Sequence, residues 1–184
     1  MAFIIMSTLL SFHLPVFAER VDSIPVNEYV HSIHLNEMQI KELMRFSNEK
    51  SIPFPMVYEL LSVETGGTFN AKAVGPQTRF GKAYGISQFM PSTAKWISSM
   101  YGMTFHPSQL FDPYYSIKLS ICYLHYLQYG NGKEHKGYHN WHKTLTAYNR
   151  GMYGLKVYEN HTGKSESSYS VTIMNAFESK KMPY

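Results

Sequence analysis

The stretch that most constrains this chain runs from Asp112 to Gly130, DPYYSIKLSICYLHYLQYG. Asp112 is a helix N-cap, and Pro113 follows at the first helical position, where a missing N–H costs nothing. Ile117, Ile121, Leu124 and Leu127 then recur at helical spacing until Gly130 stops the run. The same punctuation recurs along the chain. Pro55 to Glu64 is a helix closed by Gly66-Gly67, and the segment after Pro91 carries Ala94, Ile97, Met100 and Tyr101 up to Gly102. Residues 141–149 place Trp141, Leu145 and Tyr148 on one side. Tyr169, Ile173, Met174 and Phe177 mark a last helix, and Asn36 caps one carrying Ile40, Leu43, Met44 and Phe46. No run sustains the period-two alternation of a strand, so the fold class is mainly α.

With 184 residues, 44% hydrophobic and 15% aromatic, the chain suits one globular domain. The single cysteine, Cys122, excludes an intrachain disulfide and reads as a small buried side chain. Residues 1–18 contain no charged side chain and end in Val16-Phe17-Ala18, which predicts a signal peptide cleaved after Ala18 and export to the periplasm. Ser11, His13 and Pro15 interrupt this run, leaving it too short for a stable membrane anchor.

Glu64 is the candidate for chemistry. Val57, Leu60, Leu61 and Glu64 fall on one helical face, which puts the carboxyl on the apolar side at the helix C-terminus. Partial desolvation and the negative end of the helix dipole both favour its neutral form, a proton donor near neutral pH. The competing reading is a carboxylate that reaches solvent from a helix end. A two-carboxylate glycosidase would need a second acid roughly 5–10 Å away. Asp112 is used as a cap, Glu59 points about 140° away around the helix, and Glu134 and Glu159 lie in polar segments. The histidines 135, 139 and 142 lie close together, but no Cys, HExxH or acidic partner completes a ligand set, so Gly130–His142 reads as a solvated loop and not a metal site.

Several motifs in order resemble the lytic transglycosylase family of the lysozyme-like superfamily. They are Glu64-Thr65, Phe69-Asn70, Ala83-Tyr84-Gly85-Ile86-Ser87-Gln88-Phe89-Met90-Pro91-Ser92-Thr93-Ala94, Leu110-Phe111-Asp112-Pro113, Tyr123-Leu124 and Ala147-Tyr148-Asn149-Arg150-Gly151. The resemblance spans about Ile52 to Phe177. Thr65 replaces the family's usual Ser, the loop from Glu64 to Phe69 is longer than the commonest form, and Ser87 stands where an apolar residue is usual. Ser165 lies four residues before Tyr169, where the family often has Glu.

The resemblance implies short helices around a glycan-binding groove, with residues 19–51 as a helical lead and 52–184 as the catalytic domain. It further implies that the enzyme cleaves the β-1,4 bond between MurNAc and GlcNAc in peptidoglycan strands and forms a 1,6-anhydromuramyl end. Glu64 would act as acid and then base, with no metal or organic cofactor. Thr65, Gln88, Phe89, Met90, Tyr148, Asn149 and Tyr169 would hold substrate, and the Tyr148 phenol would donate a hydrogen bond to Glu64. A hydrolytic muramidase of the goose-lysozyme type and an inactive wall-binding module are the alternatives. The formal charge of +4 and pI near 9.0 suit an anionic polymer such as wall glycan with its stem-peptide carboxylates. Scattered basic residues and the lack of a zinc-finger or RNA-binding signature argue against nucleic acid. A monomer is expected, serving either wall turnover or an envelope-spanning secretion or conjugation machine.

Overall fold

Seven α-helices are present among residues 26–180, the part of the chain that the computed structural model describes: α1 (Val26–Ile33), α2 (Glu37–Glu49), α3 (Phe54–Glu64), α4 (Pro91–Met100), α5 (Pro113–Tyr129), α6 (Trp141–Thr162) and α7 (Ser168–Ser179). Among the described residues the β-structure is limited to isolated bridges, so the fold is mainly α, as expected. The leader expected over residues 1–18 lies outside the described residues.

Helix ends follow local chemistry. Asp112 caps α5 by accepting from the Tyr114 N–H at 3.0 Å, and Asn36 and Gln39 form a reciprocal capping box at α2. Two elements differ from expectation. Helix α1 was not anticipated, although Tyr29 and Ile33, one turn apart, are each 1% exposed. Helix α6 continues past residue 149: Gly151 breaks it with φ 73° and ψ 163°, and the chain then resumes helical geometry to Thr162, burying Leu155. A side chain at that φ is disfavoured, which is why a glycine makes the bend.

Helix α5 is buried on both sides. Ile117, Ile121 and Leu124 face a cluster built with α1, α2, α3 and α7, while Leu119, Cys122 and Leu127 face a second cluster with α4 and α6. Fully burying such a side chain contributes about 1.5–3 kcal/mol. Tyr148 packs against both clusters and so marks the seam between them. Helix α7 lies against α3 and α6, with Ile173 and Phe177 in the first cluster and Lys180 at its end paired with Glu28 and Glu59.

Between α3 and α4 the chain forms a pinned excursion. Gly75 donates to the Ala83 carbonyl at 2.8 Å, Thr78 and Gly81 close the tip, and Tyr84 and Phe89 exchange backbone hydrogen bonds of 3.0 and 3.1 Å. At Gly85 a Cβ would lie 1.7 Å from the Leu110 carbonyl oxygen, so only glycine lets the base of this excursion seat against the turn before α5.

Candidate active site

Glu64 is the last residue of α3 and is half-buried. The Tyr169 hydroxyl, from the first turn of α7, donates to its Oε1 at 2.5 Å. Burial pushes the Glu64 carboxyl up from the usual 4.5 to about 7, against the opposing pull of the Tyr169 hydrogen bond. The rise comes from desolvation, not from a neighbouring acid.

Three of the other acids are committed elsewhere. Asp112 caps α5, Glu59 pairs with Lys180 at 2.7 Å, and Glu159 pairs with Lys143 at 3.2 Å and accepts from Ser165. Burial and the negative charge of Glu64 raise the phenols of both Tyr148 and Tyr169 well above their ordinary value, so both stay protonated as donors.

The hydrogen bond expected from Tyr148 to Glu64 is thus made by Tyr169 instead. The Tyr148 hydroxyl donates to the Ser87 carbonyl at 3.1 Å and lies 3.1 Å from Ser120 Oγ, while Ser87 Oγ donates to the Ser116 carbonyl. Ser87 and Ser120 were not singled out from the sequence as partners of this ring. Ser87 standing in an apolar position was the available signal, since a buried hydroxyl requires a partner.

Thr65 donates to the Leu61 carbonyl at 2.8 Å and accepts from the Phe69 N–H at 2.9 Å. Its hydroxyl closes α3 and fixes the following loop, where Phe69 stacks on Tyr58. Gln88, at φ 48°, turns its amide inward and donates to the Gly85 carbonyl at 2.8 Å. It clamps the excursion that faces the site. Phe89 is 3% exposed and packs against Tyr123 and Tyr148, so it supports the Tyr148 ring from the core and offers no face to a substrate. Met90 is half-buried at the N-cap of α4, and Asn149 is exposed one residue beyond Tyr148.

The three histidines do not converge on an ion. His135 is buried between Tyr126 and Tyr138 with Nε2 3.1 Å from the Leu127 carbonyl, His139 Nε2 meets the Lys136 carbonyl, and His142 Nδ1 meets Ser170 Oγ. Among the described residues no group of three or more His, Cys, Asp or Glu could hold a metal ion.

Fold and site together define a mainly helical domain that holds one half-buried carboxyl, its proton affinity raised by burial, at the end of α3 against Tyr169 of α7. The family model of the transglycosylase SLT domain matches residues 44–171, and the chain belongs to that family: it is a lytic transglycosylase domain of the kind that acts on peptidoglycan. Among curated proteins none matches the chain.

Proposed function

We propose that the protein is a peptidoglycan lytic transglycosylase in which Glu64 is both acid and base. The observation that carries this reading is a single carboxyl raised to about 7 by burial and held by one phenol. In its neutral form Glu64 gives its proton to the glycosidic oxygen as the bond to MurNAc C1 breaks. The resulting carboxylate then takes the proton from the muramyl 6-hydroxyl, whose oxygen forms a bond to C1 and closes the anhydro ring. The proton count balances, and no water is consumed. Tyr169 steadies the carboxylate between the steps, because its hydrogen bond favours the ionised form. In this reading Tyr148, held by Ser87 and Ser120, shapes the wall of the site, and Asn149 and Met90 are assigned to the sugar.

Export by residues 1–18 to the periplasm would bring the enzyme to its substrate, in wall turnover or in service of a secretion or conjugation machine. The test is to digest purified sacculi with the native protein, Glu64→Gln and Asp112→Asn. Glu64→Gln should lose on the order of a hundred- to ten-thousand-fold in rate. Asp112→Asn keeps a capping side chain and should stay active. Digestion should also persist in chelator. A loss that zinc restores would contradict the cofactor-free mechanism, and an active Glu64→Gln would remove the assigned acid.

A further inference from the structure

Tyr169 is the second residue of α7, so the phenol that reaches Glu64 stands in a turn whose first N–H groups have no partner inside the helix. Such an end frays unless it is capped, and a fraying turn would not keep a hydroxyl within hydrogen-bond distance of one carboxyl oxygen. The cap here is built across to α6. Thr146 Oγ1 donates to the Ser165 carbonyl at 2.8 Å and lies 2.9 Å from Ser167 Oγ, the N-cap side chain, which accepts from the Ser170 N–H at 3.2 Å. Since Thr146 spends its single hydrogen on Ser165, the hydrogen between the two hydroxyls belongs to Ser167. Ser170 Oγ donates to the Ser167 carbonyl at 3.0 Å and is met at 3.1 Å by His142 Nδ1, also from α6, which is therefore the protonated nitrogen. Thr146 and Ser170 are 0% exposed and Ser167 2%, so a partner lost from this chain is not replaced by bulk water.

The chain brackets Tyr169, with Ser167 two residues before it and Ser170 one after. Helix α6 thus meets the two phenols in different ways: Tyr148 is its own and turns to Ser87 and Ser120, whereas Tyr169 is held from the backbone side by Thr146 and His142. We infer that Thr146 is a positioning residue, which through Ser165 and Ser167 fixes the first turn of α7 and so holds the Tyr169 phenol on Glu64. The inference rests on the proposed function and deepens it, since it places part of the control of the acid on a residue that does not touch it. Valine at position 146 would keep the shape but leave the Ser165 carbonyl and the Ser167 hydroxyl short of a partner, which the turn can relieve only by moving. The titratable groups facing Glu64 are Tyr169 from α7 and Tyr148 from α6. Beside the chain of hydroxyls, Lys143 and Glu159 pair with each other, and Ser165 Oγ donates to Glu159. His142 keeps its Nδ1 proton in both charge states, so its titration leaves the bond to Ser170 in place.

The test follows the Glu64 carboxyl directly, by carbon-13 NMR titration of the full chain without substrate, in native protein, Thr146→Val, Thr146→Ser, Tyr169→Phe and the Thr146→Val/Tyr169→Phe double variant. Thr146→Val should raise the Glu64 pKa by roughly half a unit, the direction expected of Tyr169→Phe. Thr146→Ser keeps the hydroxyl and should titrate as native. The double variant should shift no further than Tyr169→Phe alone, because the two changes act through one hydrogen bond. If Thr146→Val does not fold, Ser167→Ala, which takes one hydroxyl from the same chain and leaves Thr146 its Ser165 partner, carries the same expectation. A Glu64 titration unmoved by Thr146→Val while the thermal midpoint falls, or shifts that add in the double variant, overturns the inference and leaves Thr146 a merely structural residue. If that result comes while native protein still releases anhydromuropeptides from sacculi, the proposed function stands without it. A Glu64 that shifts as expected in a protein that releases nothing from sacculi overturns the proposed function, and with it any part for Thr146 in a reaction.

Discussion

At Glu64, burial and the Tyr169 phenol pull in opposite directions, and burial prevails. The unfolded chain releases this proton near the ordinary 4.5, the folded chain near 7. Between those values the native state holds a proton that the unfolded state has lost, so stability falls as pH rises through that window and is flat on either side. The full shift corresponds to about 3 kcal/mol at most, and partial exposure reduces it to about 2 kcal/mol. Glu64→Gln should remove this slope and make the protein at least as stable as native above pH 7, measured by chemical denaturation across pH. A slope unchanged in the variant would mean that Glu64 is not the buried acid. Tyr169→Phe removes the hydrogen bond that favours the carboxylate, so the alkaline limb of kcat/KM should move to higher pH by roughly half a unit to one unit. A limb that stays in place would show that the phenol does not set the proton affinity. The sequence placed Glu64 correctly on its helix, because that depends on neighbours within two turns. It assigned the donor to Tyr148 when the bond comes from Tyr169, 105 residues away in the chain, since choosing between two phenols requires knowing how α6 and α7 pack.

At the scale of elements, the glycines separate into those that need only a backbone angle and those that need the space as well. Gly85 has φ 75° and would put a Cβ 1.7 Å from the Leu110 carbonyl oxygen, whereas Gly67 has φ 79° and nothing within 4 Å. Gly67→Ala should therefore cost about 1 kcal/mol, the ordinary strain of a left-handed residue. Gly85→Ala should cost several times more, because backbone must move. Thermal midpoints of the two variants check this, and similar losses in both would mean that the excursion is not seated on Leu110. Helix starts were legible because caps such as Asn36 and Asp112 act within a single turn. The course of α6 was not, because Tyr148-Asn149-Arg150-Gly151 reads as a stop and Gly151 instead turns the chain and lets the helix resume. Helix α1 escaped because its eight residues give too short a period to stand out, and its formation depends on packing Tyr29 against Phe54 and Tyr58.

At the scale of the whole molecule, α5 holds the two clusters together, and the helices before residue 52 belong to the same core as α3. Tyr29, Ile33, Ile40 and Leu43 are each no more than 1% exposed. Deleting residues 19–51 should leave a protein without a cooperative melting transition, since several side chains worth about 1.5–3 kcal/mol each exceed or match a typical net stability. A shortened protein that still melts sharply would make those helices an appendage. The mainly α class was legible because it needs only helical periodicity and the lack of strand alternation, whereas the junction of two clusters at Tyr148 needs contacts between distant segments. Intact mass of the exported protein should begin at Glu19, and a full-length product would remove the periplasmic assignment. The central claim is that one acid completes the reaction with the substrate's own hydroxyl, and the most direct measurement is the mass of the muropeptides released from purified sacculi by native protein and by Glu64→Gln. The account predicts anhydromuramyl ends, one water lighter than reducing ends, from the native protein and almost none from the variant; reducing ends from the native protein, or anhydromuramyl ends undiminished in the variant, would contradict it.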